Sequence, residues 1–508
     1  MKLMPKLLCC LLAILMVLTV LCACTPSTPD NPDNPDNPNT PDNPDNPDNP
    51  DEDIDYLATL PKKDFNDEAI TVLCRTDKLY EIWAEEDSAD TMEAAVFNRN
   101  SRVEEWLGVT LEHHDIDGVW SSRDNFKTAV INANKSGNDD YQIVAGYLAY
   151  ISDLAASGEF YNLHNVDSLK KDAAWWSQSF VENNTVYDCL FFVDGDYSLT
   201  MWEGLYGIFF NKQMAQDNGL TDLYQIVRDG DWTLETFEDI VNGIYVDNGN
   251  DARDEFDTYG LLMNRHALRT MVTTSGCPVA ARDDYGGYVL NLYSEKLEDL
   301  YANLYHFIYQ EDGTYFYKNP PGGDGDYSGI LTMFKNNQAL FLTSTLDNAS
   351  SLRSMDTEFG ILPFPKYDDL QENYLAHSFD GHSIFCIPAQ TYDPEMVGTV
   401  LDALSAESKY SVIPTYYDKV LKGRSTTDNE SKEMLDIIRD HLYFDFGYVH
   451  SNSMTVTIDG TTGGPFASLG DRLQVGDATY STYYQKAESA FKTALEKVMR
   501  EYERASAN

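Results

Sequence analysis

Basic residues are scarce in this sequence. Among 508 residues, 36 are Lys or Arg and 83 are Asp or Glu, which gives a formal net charge of −47. Proteins that bind nucleic acid, or that adhere to anionic lipid, need a basic face. We therefore expect no nucleic-acid partner and no direct adhesion to anionic lipid. The local basic cluster that an anionic ligand would need is also missing from the sequence.

Sequence motifs for the common enzyme chemistries are missing beyond residue 60. There is no Gly-x-Ser-x-Gly, no His-Glu-x-x-His, no phosphate-binding loop and no Cys-x-x-Cys pair. Four of the eight cysteines lie in this part of the chain: Cys74, Cys189, Cys277 and Cys386. Most of them sit in apolar runs, where a free thiol behaves as a small hydrophobic residue. We favour structural thiols over disulfides, and we expect no cofactor.

Two segments could suggest a metal site. His113 and His114 are adjacent, but on a strand they would face opposite sides and could not easily share one ion. The segment 247–257 (DNGNDARDEFD) resembles a calcium loop but departs from the EF-hand pattern at Gly249 and Ala252. A solvated acidic loop is the favoured interpretation, and no metal site is predicted.

The first residues have the layout of a signal peptide. Lys2 and Lys6 precede an apolar run over 7–21, which ends in small residues before Cys24. Residues 21–24, Leu-Cys-Ala-Cys, resemble the lipobox of bacterial lipoproteins. This resemblance implies a signal peptide over 1–23, cleavage before Cys24 and a lipid on Cys24. The alternative is an uncleaved anchor, although the run falls short of the roughly 20 residues that a membrane span needs.

A repeat of Pro-Asp-Asn follows from Pro29. Such a segment has almost nothing to bury and cannot offset its ordering entropy. We predict a disordered stalk over 24–63, extended at about 3.1 Å per residue. Contact with the cell wall or with a sugar polymer is the alternative role.

The body of the chain begins with alternating strand and helix patterns. Apolar runs predict strands at 69–74, 109–116, 141–147, 190–193 and 205–210, and helical spacing predicts helices at 88–106 and 123–136. The order strand, helix, strand, helix, strand favours a parallel, doubly wound α/β sheet. Ligands of such sheets bind beyond the carboxyl ends of the strands. Arg75, Thr76, Gly146 and Tyr147 are therefore expected near any site.

Three segments together resemble the extracellular sugar-binding proteins of bacterial ABC importers (solute-binding family 1). They are 205–212 (LYGIFFNK) with Gly219-Leu220 and Asp231-Trp232-Thr233, then 338–348 (QALFLTSTLDN) with 359–365 (FGILPFP), and finally 410–417 (YSVIPTYY). The resemblance covers nearly the whole body.

The resemblance implies a two-lobed periplasmic-binding-protein-like fold of type II, with a hinge and an interlobe cleft. Lobe 1 would comprise 64–199 and 376–421, and lobe 2 would comprise 200–375 and 422–508. The implied function is capture of a solute, a mono- or oligosaccharide, at the extracellular face of the cytoplasmic membrane. The lipid on Cys24 would tether the protein, and the permease of an ABC transporter would be its partner. The implied protein is not an enzyme.

A saccharide needs aromatic rings for its C–H faces and polar side chains for its hydroxyls. The best local mixtures predict these ligand-binding residues: Tyr147, Trp202, Glu203, Tyr206, Asp347, Asn348, Asp380, His382 and Tyr416. Each of them could instead belong to the core. Two other functions stay open, a surface enzyme acting on glycosides and an adhesin that binds polysaccharide.

Overall fold

The computed structural model describes residues 54–506, except 87, 156, 319–327 and 422–428. The predicted signal peptide, Cys24 and most of the stalk lie outside this range. Among the described residues, no helix combines the length and the apolar character that a membrane span requires.

In the described part of the chain, thirteen strands form two main sheets and two small hairpins. The strands are β1 (Glu68–Arg75), β2 (Val109–Ile116), β3 (Ile143–Tyr147), β4 (Tyr206–Asn211), β5 (Tyr259–Met263), β6 (Ala280–Arg282), β7 (Tyr288–Leu290), β8 (Thr314–Phe316), β9 (Ala339–Thr345), β10 (Phe359–Leu362), β11 (Ser383–Cys386), β12 (Val456–Ile458) and β13 (Thr461–Gly463).

Most helices pack around these sheets. The α-helices span Leu79–Ile82, Thr91–Leu107, Arg123–Ser136, Leu148–Ala155, Gln178–Asn184, Leu199–Glu203, Lys212–Asp217, Leu223–Arg228, Leu234–Asn242, Arg265–Thr274, Glu295–Tyr309, Ser328–Lys335, Ala349–Leu352, Pro394–Glu407, Ile413–Leu421, Asn429–Asp440, Phe446–Val449, Pro465–Gln474 and Tyr480–Ser506. Short 3₁₀ turns follow β1 (Thr76–Lys78) and β9 (Leu346–Asn348).

The first sheet has the order β11-β3-β1-β2. β1 runs parallel to β2 and to β3, whereas β11 returns antiparallel to β3 and pairs Ser383 with Tyr147. The second sheet has the order β10-β4-β9-β5-β8 and mixes both directions. The predicted α/β class and the parallel start of the fold are therefore confirmed.

Alternation along β1 separates two hydrophobic cores. Ile70, Val72 and Cys74 face one core, and Leu73 faces the other. Successive side chains of a strand point to opposite faces, so a strand that is apolar throughout must be covered on both sides. The four cysteines of the described chain are buried and free, as favoured from the sequence.

Local signals placed most helix ends correctly. Asp90 accepts hydrogen bonds from two backbone N–H groups of the first helical turn, and Gly108 ends the helix Thr91–Leu107 with a φ of 57°. Thr233 caps the helix Leu234–Asn242, as its sequence suggested. Among the predicted strands, 190–193 does not form: it makes a single bridge, between Val193 and Phe385.

Two chain segments connect the sheets, residues 148–205 and 363–382, and they lie side by side near Gly204 and Phe379. Tyr206 N–H donates to the His377 carbonyl at 2.9 Å, and Phe379 N–H donates to the Gly204 carbonyl at 2.8 Å. These backbone bonds hold the two connections in register. A side chain at Gly204 would leave its Cβ only 2.9 Å from Ser378 Oγ, so the close approach requires glycine.

A buried ion pair also joins the two connections. His382 Nε2 lies 2.7 Å from Asp194 Oδ2, and its Nδ1 lies 2.6 Å from the Phe379 carbonyl oxygen. The Phe379 carbonyl can only accept, so Nδ1 carries a proton, and the Asp194 carboxylate favours a second proton on Nε2, which makes the ring an imidazolium. Burial opposes this charge, but the Asp194 carboxylate and the Phe379 carbonyl raise the pKa of His382.

We expect Asp194→Ala to lower the free energy of unfolding by about 3–5 kcal/mol at pH 6, because it leaves a buried imidazolium without its counter-charge. Asp194→Asn should lose less, since an amide can donate to Nε2 of a neutral ring. Urea denaturation measures both changes. Lys486→Ala, which breaks an exposed ion pair with Asp459, is the control and should cost at most about 1 kcal/mol. Equal losses for Asp194→Ala and this control would contradict the assignment of a charged pair.

Candidate functional site

A cavity of about 240 Å³ opens between the two main sheets. Its walls come from the carboxyl ends of β1, β3 and β9 and from the two connections. The lining residues are Arg75, Asp77, Lys78, Val119, Tyr147, Thr200, Glu203, Gly204, Thr345, Asp347, Phe379, Gly381 and His382. The location agrees with the rule that ligands of open α/β sheets bind beyond the strand ends.

The wall from the first sheet combines aromatic rings with a cation. Tyr147 stacks on Tyr150 with ring centroids 5.3 Å apart, and Trp120 lies 6.0 Å from Tyr147. The Arg75 guanidinium lies 4.7 Å from the centroid of the Tyr147 ring. Tyr147 is the ring of this group that lines the cavity, and it offers apolar area to a sugar face.

The opposite wall carries two carboxylates. Glu203, at the end of the helix Leu199–Glu203, accepts a hydrogen bond from the Tyr80 hydroxyl. Asp347 accepts from the Thr345 hydroxyl and from the Asn348 amide, the latter at 3.0 Å. These contacts fix the carboxylates while leaving further acceptor sites on their oxygens.

Burial makes Glu203 the most perturbed carboxyl of the lining. It raises the pKa of Glu203 to about 7, against the opposing effects of the Tyr80 hydrogen bond and the nearby Lys78 charge. Near neutral pH this group therefore exists in both protonation states, and it can donate to a ligand as well as accept from it.

The structure brings four of the predicted site residues together in this cavity: Tyr147, Glu203, Asp347 and His382. Tyr206 and Asp380 instead line a second cavity of about 10 Å³, which shares Phe379 with the first. That space is too small for a sugar ring. Both residues thus lie next to the main cavity without lining it.

The remaining predicted residues lie outside both cavity linings. Trp202 is 8 % exposed and packs its ring against Tyr417, with centroids 6.0 Å apart. Tyr416 is buried, and its pKa is raised by burial and by the carboxylates of Glu203 and Asp347, so it lies close to them. Asn348 supports Asp347 through its side-chain amide.

Several lining residues escaped the sequence prediction of sugar-binding groups. Asp77 and Lys78 lie in the turn after β1, and Thr345 ends β9. Arg75 was expected near a site from its place at a strand end, and it does line the cavity. The strand-end rule could have found Thr345 in the same way, whereas nothing local distinguishes Val119 or Phe379.

The two metal candidates have other partners. His113 packs against Trp83 and His114 against Tyr141 in tilted arrangements, with ring centroids 5.1 and 5.3 Å apart. In the acidic loop, Asp257 accepts hydrogen bonds from the backbone of Asn248 and Asp254 and organises the turn. Across the described ranges, no group of three or more His, Cys, Asp or Glu side chains could hold a metal ion.

Comparisons with known proteins identify the fold. No protein-family model and no curated protein matches the sequence. Among solved structures, the galacto-N-biose/lacto-N-biose I-binding protein of the Bifidobacterium longum ABC transporter, in complex with lacto-N-biose, superposes with a TM-score of 0.53 at 12 % identity, covering 87 % of this chain and 99 % of that one. The chain has the solute-binding-protein fold.

Two further structures share this solute-binding-protein fold. The ABC substrate-binding protein Lmo0181 of Listeria monocytogenes, in complex with cycloalternan, gives a TM-score of 0.50 at 12 % identity over 85 % of this chain and 98 % of that chain. UspC of M. tuberculosis gives a TM-score of 0.52 at 14 % identity, covering 84 % of this chain and 100 % of that chain. The two-lobed fold that the sequence resemblance implied is therefore confirmed, whereas the lobe boundaries stay predictions.

We expect Glu203→Gln to flatten the pH dependence of stability. The folded-state pKa of Glu203 lies above its ordinary value of 4.5, so the protonated form favours folding, and this stability is lost as pH rises from about 4.5 through about 7. The wild type should lose roughly 1–3 kcal/mol more than Glu203→Gln over this interval.

Chemical denaturation at pH 4.5, 6 and 7.5 measures the effect. Glu68→Gln, at an exposed position, is the matched control and should follow the wild type. Parallel profiles for the wild type and Glu203→Gln would rule out the perturbed carboxyl.

Proposed function

We propose that this protein is an extracellular solute-binding protein that captures a mono- or oligosaccharide and delivers it to the permease of an ABC transporter. The observation that carries the proposal is the cavity between the two sheets. It combines Tyr147 and Phe379 with the carboxylates Glu203 and Asp347 in one lining. Rings for the sugar faces and acceptors for its hydroxyls are the two requirements of saccharide binding.

The fold supports the same assignment. Two of the structures that share it are described with saccharides bound, lacto-N-biose and cycloalternan, and both belong to ABC systems. In this proposal, lobe 1 (64–199 and 376–421) and lobe 2 (200–375 and 422–508) close around the ligand by a hinge at the paired connections. The closed form is the one that docks on the permease.

The sequence before residue 64 supports the location. We propose that the signal peptide 1–23 directs export, that a lipid on Cys24 anchors the protein to the outer face of the cytoplasmic membrane, and that the stalk 24–63 holds the body away from it. A chain with a formal net charge of −47 is repelled by anionic lipid. A covalent lipid and a spacer therefore suit it better than direct adhesion.

One observation favours a second function, hydrolysis of a glycoside. Such enzymes use a carboxylic acid with a raised pKa and a second carboxylate. Glu203 and Asp347 line the same cavity, and burial raises the pKa of Glu203 to about 7. The two functions differ in outcome, because a binding protein returns its ligand unchanged.

We expect saccharide binding to raise the melting temperature, as any ligand specific for the folded state does. Asp347→Ala should weaken binding by about 10- to 100-fold, because a hydrogen bond to a charged group contributes about 1.5–3 kcal/mol. A thermal-shift screen over mono- and oligosaccharides, followed by calorimetry, measures both effects. Tyr392→Ala, at a side chain that is 93 % exposed, is the control and should bind like the wild type.

Trp120 should report the same event by fluorescence. It is 44 % exposed, and its ring centroid lies 6.0 Å from that of Tyr147, which lines the cavity. In Trp120→Phe most of the fluorescence change should be lost while the thermal shift remains. A fluorescence change that persists in full would place the ligand elsewhere.

We expect no turnover. Purified protein incubated with the saccharides that bind should release no new reducing ends, and the bound ligand should be recovered intact by mass spectrometry. Release of reducing sugar that disappears in Glu203→Gln would instead assign the glycosidase function. An adhesin would show neither a thermal shift with short saccharides nor turnover, yet would retain the polymer.

A further inference from the structure

Arg75 is the most unusual side chain of the cavity lining. It is 1 % exposed, and its three guanidinium nitrogens make no hydrogen bond within the described chain. Its nearest counter-charge is Asp77, whose carboxylate lies 3.4 Å away and is 37 % exposed. That contact is an ion pair without hydrogen-bond geometry.

This arrangement is costly by itself. Arginine does not lose its proton in proteins, so burial cannot be relieved by neutralisation. A buried charge whose N–H groups lack acceptors carries a desolvation penalty. Proteins keep such a group where something supplies the missing acceptors, and the cavity that Arg75 lines has room for a ligand.

The Tyr147 ring satisfies only one side of the guanidinium. The two groups are 4.7 Å apart, a cation–π distance. A ring face interacts with the flat face of the guanidinium and accepts none of its in-plane hydrogen bonds. The ring therefore orients the planar guanidinium group of Arg75 and leaves its N–H groups free to donate. A carboxylate, which is planar and can accept two such bonds at once, matches this geometry.

The charge of the lining differs from that of the chain. Three basic side chains (Arg75, Lys78 and His382) and three acidic ones (Asp77, Glu203 and Asp347) line the cavity, whereas the sequence has 36 basic residues against 83 acidic ones. Two of the acidic side chains already accept hydrogen bonds from neighbours, Glu203 from Tyr80 and Asp347 from Asn348. The lining is thus balanced in charge, so an acidic ligand meets less repulsion there than the net charge of the chain suggests.

A neutral saccharide would leave this charge uncompensated. A hydroxyl can accept hydrogen bonds from Arg75, but it brings no negative charge into the buried site. An acidic group supplies both the acceptors and the counter-charge, and charge-assisted bonds of this kind are about twice as strong as neutral ones.

We propose that the physiological ligand is an acidic saccharide whose anionic group binds Arg75 while its hydroxyls bind Glu203 and Asp347. The acidic group is a uronate carboxylate or a sulfate ester, since both present the oxygen pair that the guanidinium fork recognises. This inference rests on the proposed saccharide-binding function and specifies its substrate class.

Calorimetry with matched ligands tests the proposal. A library of oligouronates is compared with the corresponding methyl esters, which keep the shape and lose the charge, and sulfated oligosaccharides are compared with their unsulfated backbones. The wild type should bind at least one acidic member 10-fold or more tightly than its neutral counterpart. Whether a uronate or a sulfated sugar binds more tightly identifies the acidic group.

Variants of Arg75 link the preference to this side chain. Arg75→Gln should remove the preference for the acidic ligand, and Arg75→Lys, which keeps the charge without the fork, should keep only part of it. Arg228→Gln, which removes a cation paired with Glu430 and Glu433, is the control and should keep the full preference. Melting curves verify that each variant is folded, and the wild-type comparison stands if Arg75→Gln is not.

The outcomes separate this inference from the proposed function. Neutral saccharides that bind as tightly as their acidic partners would overturn the acidic-ligand proposal and leave saccharide capture standing. An acidic preference that survives in folded Arg75→Gln would also overturn it. Failure of every saccharide, neutral or acidic, to bind would overturn both.

Discussion

The buried pair of Asp194 and His382 holds together the part of the structure on which the cavity depends. The pair joins two connections that leave the first sheet 188 residues apart in sequence, at an N–O distance of 2.7 Å. The Asp194 carboxylate favours the charged form of the ring, and the short contact between the two groups keeps both in place. Glu203 and Phe379, which lie on these connections, owe their positions to this contact and to the backbone bonds beside it.

The cavity that results has two chemically distinct walls. One carries stacked aromatic rings and a buried arginine, and the other carries two carboxylates with fixed hydrogen-bond donors. Such a lining suits a ligand with flat apolar faces and several polar groups around its edge. The backbone bonds between the connections hold Glu203 and Phe379 next to each other in this lining.

Much of the fold could be predicted from local patterns. The apolar run of β1, the cap at Thr233 and the glycine at position 108 each act within a few residues, and the structure has all three where expected. The segment 190–193 shows the limit of such patterns. Its apolar run suits a strand, but in the structure the segment forms one isolated bridge, between Val193 and Phe385.

The candidate site was predictable only where topology determines position. Arg75 and Tyr147 end parallel strands, so they had to lie at the same edge of the sheet. Trp202 and Glu203 are adjacent in sequence, yet the helix Leu199–Glu203 turns Trp202 toward Tyr417 and Glu203 toward the cavity. Composition cannot distinguish two such neighbours, because their directions depend on the rotation of the helix against its packing partners.

The sequence by itself determined the α/β class, the order of the first strands and helices, and the acidic character of the chain. These properties follow from residue spacing and charge, which need no knowledge of distant contacts. Only the tertiary structure decided that Tyr80 meets Glu203 across 123 residues, that His382 meets Asp194 across 188 residues, and that Arg75 is buried without acceptors. Each of these depends on groups far apart in the chain, which packing of the two sheets brings within hydrogen-bonding distance or, at Arg75, keeps beyond it.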